Sequence, residues 1–213
     1  MKSNNLEIRT ISSQRPHLRE ANAEGEESRI IEGYACVFNQ ASEVLVDYNE
    51  DNYIFREIIA PSAISQDSLK GYDVKMTMFH NREKLLARAR FGEGTLTLSV
   101  DNVGLKFSAE MPKTMLGDEA IEMVRRGDIV GCSFAYINSA DGVEWQYNGD
   151  VPTRIVNNII DIRDVTLAID PAYNQTSVSL RECNLCSHQD DRLRVESQKR
   201  ERKVKLINLY IND

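Results

Sequence analysis

Four short segments between residues 74 and 110 constrain the fold most: VKMTMFH (74–80), KLLARARF (84–91), GTLTLSV (94–100) and GLKFSAE (104–110). Only a few residues separate each from the next, many of them turn formers, so successive segments are expected to pair as antiparallel neighbours. The pattern continues on both sides. NLEIRTI (5–11) alternates like a strand, IIEGYACVF (30–38) resumes it, and 129–137, 142–147, 154–162 and 164–169 add further strand-like runs. IFREIIAPSAI (54–64) is expected to pass from a strand into a short helix, with Pro61 in its first turn and Gly71 beyond its end. GDEAIEMVRRG (117–127) reads as a helix, with acids in its first turn, Arg125 and Arg126 in its last, and Gly127 as its stop. Leu116, Ala120, Met123 and Val124 form its apolar stripe. The expected fold class is mostly β (α+β), an antiparallel β-sheet or β-barrel flanked by two or three helices.

Polar stretches divide the chain. SSQRPHLREANAEGEES (12–28) is expected to be a mobile loop, and the charged run DDRLRVESQKRERKVKLINLYIND (190–213) a helical or disordered tail. The expected organisation is an N-terminal strand and polar loop at 1–29, one folded domain at 30–183 and a charged tail at 184–213. Apolar residues make up 41% of the chain and charged residues 28%, a soluble globular balance. The net charge of −7 argues against a nucleic-acid partner held by its phosphates. The first twenty residues hold no long apolar stretch, and no run of about 18 apolar residues appears elsewhere, so neither a secretory signal nor a membrane span is expected. The chain is expected to stay in the cytoplasm.

The cysteines at 36, 132, 183 and 186 are then expected to be reduced thiols. Cys183 and Cys186, with His188 close behind, offer part of a zinc site but lack a second ligand pair.

Chemistry centres on GDIVGCSFAY (127–136), where Cys132 and Ser133 are neighbours. In a strand they face opposite ways. Cys132 shares its face with Val130, Phe134 and Tyr136, where a cysteine acts as a small core hydrophobe with a raised pKa. Ser133 lies between Gly131 and Ala135, which leave room for a substrate chain. A serine that merely packs tightly would look the same. A nucleophilic serine needs a base, and of three histidines only His80 ends a strand. His17 lies in the polar loop and His188 in the tail. Free imidazole, with a pKa of about 6.5, suits proton transfer near neutrality. Taken alone, that place is better read as a half-buried structural histidine. An acid to orient the imidazole is sought in DIRDVTLAIDPAY (161–173), which offers Asp161, Asp164 and Asp170. Asp164 has the best position, on a small polar strip with Thr166 and Ala168. Asp170 precedes Pro171 and suits a turn. Arg163 and Arg154 are further candidates to assist, though both read more simply as surface charges.

Six landmarks resemble the phage prohead protease family, the capsid-maturation serine proteases: IEGYACVFN (31–39), FREIIAPSAI (55–64), VKMTMFHNRE (74–83), LTLSVDNVGLKFSAEMP (96–112), EMVRRGDIVGCSFAY (122–136) and DVTLAIDPAYNQTSV (164–178). They occur in the family's order and cover roughly residues 30–180. The family's histidine, followed by Asn or Asp, falls on His80-Asn81, and its serine on Ser133-Phe134. The acidic residue before its valine-serine/threonine-leucine stretch falls on Asp164. Two positions depart from the pattern: Ser62 replaces a usual glycine, and Cys132 stands where a small or apolar residue is common.

The resemblance implies a fold related to the herpesvirus assembly proteases, a β-barrel with serine and histidine on its strands. It implies catalysis by Ser133 and His80 with Asp164 as third member, without metal or cofactor. It implies action inside the immature capsid, in the host cytoplasm, on scaffold protein or a scaffold-like segment of the major capsid protein, and on the protease itself. Association into a homodimer or higher homo-oligomer is a further expectation. Two rival readings are a non-catalytic β-barrel that docks on scaffold through its charged tail, and a cysteine hydrolase using Cys132 or Cys36.

Overall fold

The structure, a computed structural model, describes residues 6–11, 15–20, 28–47 and 53–169. In chain order the strands are β1 (Leu6–Ile11), β2 (His17–Leu18), β3 (Ile30–Val37), β4 (Leu45–Asp47), β5 (Tyr53–Ile59), β6 (Asp73–Met78), β7 (Asn81–Arg90), β8 (Glu93–Gly94), β9 (Leu96–Val100) and β10 (Gly104–Glu110). Helix α1 (Met115–Arg126) follows, then β11 (Gly131–Asn138), β12 (Val143–Gln146), β13 (Thr153–Val156) and β14 (Ile159–Ala168). The strands form a six-stranded sheet in the order β1-β11-β14-β6-β7-β8 and two four-stranded sheets, β2-β3-β10-β9 and β12-β13-β5-β4.

The fold is mostly β, as the strand pattern implies, but among the described residues no closed antiparallel barrel is found. Among the described residues the sheets are open, with β1 and β8 as the edges of the largest. The close-spaced hairpins β6–β7, β9–β10 and β12–β13 are antiparallel. The joins between distant segments are not all so: β14 runs parallel to β6, and β13 parallel to β5. Short connections fix only local pairing; the choice between closure and a mixed sheet is made by long-range packing.

The helices also differ from expectation. Only α1 is an α-helix among the described residues, and the segment after β5 forms two 3-10 turns, Pro61–Ala63 and Ser68–Gly71. Between them the Ser65 and Ser68 side chains each accept from the other's backbone N–H at 3.2 and 3.1 Å. Such bonds compete with helix continuation. His17, expected in a mobile loop, lies in β2 opposite Glu32 of β3. Cys183 and the tail at 184–213, with Cys186 and His188, lie outside the described residues.

Helix α1 sets up the strand that matters most. Thr114 caps its start by accepting from the Gly117 N–H at 3.3 Å. Gly127 ends it in the left-handed region (φ 80°), which glycine adopts without strain. The chain then turns directly into β11. Ala120, Ile121 and Val124 are buried, with Leu116 and Met123 half-buried beside them. On β11 the side chains of Cys132, Phe134 and Tyr136 enter a core shared with Val74, Met76 and Met78 of β6, Leu105 and Phe107 of β10, and Val165 and Leu167 of β14. This fixes the parity of β11 and puts Ser133 on the opposite face.

Candidate active site

Ser133 sits mid-strand in β11, opposite Thr10 of β1 and Thr166 of β14. It is 1% exposed. Its hydroxyl has one hydrogen and two acceptors within reach: His80 Nε2 at 2.8 Å and the backbone carbonyl of Arg9 at 2.9 Å.

His80 is not at the end of a strand, as the sequence suggests. Strand β6 stops at Met78, which pairs with Asn81 of β7, so Phe79 and His80 form a two-residue turn. Both have positive φ, 58° and 55°. This is the I′ pattern of tight hairpins, normally built from Asn, Asp or Gly. For bulkier residues the left-handed conformation costs roughly 1–2 kcal/mol each. The turn folds back over the sheet toward β14: the Phe79 N–H donates to the Leu167 carbonyl at 3.3 Å, and the His80 N–H to Thr166 Oγ1 at 3.2 Å. Thr166 Oγ1 is also hydrogen bonded to Thr77 Oγ1, and both threonines are buried.

Asp164 lies two residues before Thr166 on the same strand face, opposite Ala135. Its Oδ1 is 2.9 Å from His80 Nδ1. An ionised carboxylate only accepts, so the geometry suits a neutral imidazole that donates from Nδ1 to Asp164 and turns its Nε2 lone pair to Ser133. The structure thus brings together all three residues singled out on sequence grounds. Ser133 Oγ, the His80 ring and the Asp164 carboxylate form one hydrogen-bonded chain. The His80 and Asp164 side chains are 28% and 19% exposed, so the cluster meets solvent on the histidine side.

The alternatives fall elsewhere. Asp161 pairs with the exposed Arg163 at 2.6 Å, and Asp170 lies outside the described residues. Cys132 and Cys36 are buried free thiols, and burial pushes both pKa values up, that of Cys36 to about 12. Neither is poised as a thiolate.

Arg154, which reads as a surface charge in the sequence, is buried. Its Nη1 reaches Glu7 at 3.1 Å and Glu57 at 3.5 Å, and its Nη2 donates to Asn138 at 2.9 Å. Arg9 completes the cluster through Glu57, at 2.6 and 2.9 Å, and Glu7, at 2.9 Å. The Tyr136 hydroxyl donates to Glu57 at 2.6 Å. Two carboxylates thus balance two guanidiniums. Burial works against the charge of Arg9, but Glu57 and Glu7 more than offset it and its pKa is raised. Burial alone would raise the Glu7 pKa, but Arg9 and Arg154 hold it below the usual range. Strand β1 therefore serves both the ion cluster and the serine: the Arg9 guanidinium anchors in the cluster, and its carbonyl accepts from the Ser133 hydroxyl.

The sequence pattern puts Thr166 on the polar strip without a part to play, and nothing in it marks Thr77 or the Arg9 carbonyl. Parity in β14 was the available signal for Thr166. The Arg9 contact depends on which strand flanks β11, which no local pattern states.

The family model described as Caudovirus prohead serine protease matches residues 17–191. No curated protein and no solved structure matches the chain. The matched span includes His80, Ser133 and Asp164 and most of the chain; the protein belongs to the caudovirus prohead serine protease family.

Proposed function

We propose that Ser133, His80 and Asp164 are the catalytic residues of a capsid-maturation endopeptidase. The observation that carries this reading is the hydrogen-bonded chain from Asp164 through His80 to Ser133, at 2.9 and 2.8 Å. Ser133 Oγ attacks the carbonyl carbon of a peptide bond while its proton passes to His80 Nε2. Asp164 holds the ring in the reactive tautomer and stabilises the imidazolium that forms. His80 then protonates the leaving amine, and the peptide C–N bond breaks. Water, deprotonated by the same nitrogen, hydrolyses the acyl-enzyme and restores Ser133. No step calls for a metal or an organic cofactor.

Family membership supports capsid-related protein as substrate. The finer reading is that the enzyme cuts scaffold protein, or a scaffold-like segment of the major capsid protein, and itself, inside the immature capsid. Confinement there raises effective concentrations to about the millimolar range, enough to favour weak substrate binding or self-association. Among the described residues no helix is long and apolar enough to cross a membrane. The rival, a non-catalytic structural head, gives no account of a serine, an imidazole and a carboxylate aligned in one chain.

The test is co-expression with the phage's own capsid and scaffold proteins, with new termini mapped by mass spectrometry. Wild type should generate defined new termini. Ser133→Ala should generate none, since removing a triad nucleophile costs about 10⁶ in turnover. Identical termini from Ser133→Ala would refute the assignment. Defined termini confined to some other substrate would refute only the substrate.

A further inference from the structure

We propose that Thr166, backed by Thr77, is a positioning residue that holds the His80 turn over the nucleophile. The inference rests on the roles proposed above for Ser133 and His80. Phe79 and His80 both occupy the left-handed region, where neither residue type rests by preference. A turn of that kind stays in place only if its surroundings hold it. Two successive N–H groups of the turn are tied to β14: Phe79 to the Leu167 carbonyl at 3.3 Å, and His80 to Thr166 Oγ1 at 3.2 Å. Every strand supplies a carbonyl of the first kind. The second tie depends on a side chain, and so on residue identity.

Thr166 is the direct cross-strand neighbour of Ser133 and also of Thr77. Its hydroxyl therefore fixes His80 to the strand that flanks the nucleophile, two residues from the Asp164 carboxylate that orients the ring. Both threonines are 1% exposed, so water cannot readily replace a lost partner. The bond to Thr77 fixes the Thr166 hydroxyl in turn. One strand, β14, thus sets His80 at two points, through the backbone N–H and through Nδ1. The hydrogen bonds of Thr166 Oγ1 run to Thr77 and to the His80 backbone N–H, not to Ser133 Oγ or the imidazole ring. The effect of Thr166 is on where Nε2 stands relative to Ser133 Oγ, and a misplacement of about 1 Å can cost about 10²-fold in rate.

The experiment measures reaction of the full chain with an alkyl fluorophosphonate. Ser133 Oγ forms a bond to phosphorus, the P–F bond breaks, fluoride leaves, and His80 takes the serine proton. The saturating rate constant kinact and the half-saturation concentration KI are measured separately. Thr166→Val keeps the shape but removes the hydroxyl, and should lower kinact about 10–100-fold with KI within about threefold. Thr166→Ser, which keeps the hydroxyl, should stay within about threefold of wild type. Thr77→Val should fall between them. A folded Thr166→Val with wild-type kinact, or an equal loss in Thr166→Ser, would overturn the inference while leaving the triad untouched. If Thr166→Val does not fold, Thr77→Val decides: a loss of about fivefold or more in kinact supports the inference, and a smaller change or none overturns it. A folded wild type that does not label at Ser133 would remove the triad and this inference together.

Discussion

Removing the Glu57 carboxylate should cost more stability than any single surface charge. Glu57 is 3% exposed and accepts from Arg9 twice and from Tyr136 once, with Arg154 at 3.5 Å. Glu57→Leu leaves two buried guanidiniums facing only Glu7. Breaking one side of a buried charge pair costs about 3–5 kcal/mol. For a chain of 213 residues, roughly 2–4 °C per kcal/mol turns this into a fall in Tm of about 6–20 °C. Arg9→Met should cost a similar amount, because Glu57 and Glu7 are then left to Arg154. The double substitution Arg9→Met/Glu57→Leu behaves differently: Glu7 and Arg154 remain paired at 3.1 Å, and the chief defect is a Tyr136 hydroxyl without its acceptor. That defect costs about 1–3 kcal/mol. The double variant should therefore lose at least about 3 kcal/mol less than the two singles added together. Equilibrium urea unfolding of the four proteins measures this cycle. A Glu57→Leu variant within about 1 kcal/mol of wild type, or additive singles, would refute a charge-balanced cluster.

Acid should destabilise the protein through Glu7. Its folded pKa lies below the ordinary value of 4.5, so its contribution is full above that value and is lost as pH falls through the lower folded pKa. Glu7→Gln should flatten the stability profile below pH 4.5, and an unchanged acid limb would exclude Glu7 as its source. Cys132→Ala should retain activity and lose about 1–2 kcal/mol in urea, because it removes a buried sulfur from the core. Inactivation of a variant as stable as wild type would favour the cysteine hydrolase instead. Asp164→Asn should slow reaction with a fluorophosphonate less than His80→Ala does. Full activity in Asp164→Asn would remove the carboxylate from the mechanism.

The strands were legible because period-two apolar patterning is a local property. The same parity separated Cys132 from Ser133 on opposite faces of β11, and put Asp164 and Thr166 together on β14. Helix α1 carried its own punctuation, from the acid in its first turn to Gly127. What stayed hidden depended on tertiary partners. Phe79 and His80 carry no turn signature, because the left-handed backbone there is held by β14 rather than favoured by residue type. Glu7, Arg9 and Arg154 are charges of the kind that usually marks a solvent face, yet their mutual neutralisation lets them enter the core. The parallel joins β14–β6 and β13–β5 link segments far apart in the chain, so hairpin spacing alone leads to a barrel, whereas the described residues form open sheets. Strand β1 lies before the span that matches the family, yet the Arg9 carbonyl accepts from the Ser133 hydroxyl.

The central claim is that Ser133 is a nucleophile activated by His80. Incubating the intact protein with a fluorophosphonate and mapping the adduct by peptide mass spectrometry tests it without knowledge of the natural substrate. The account predicts one adduct, on Ser133, absent in Ser133→Ala and strongly slowed in His80→Ala. A folded wild-type protein that takes no adduct, or one whose adduct persists in Ser133→Ala, would contradict it.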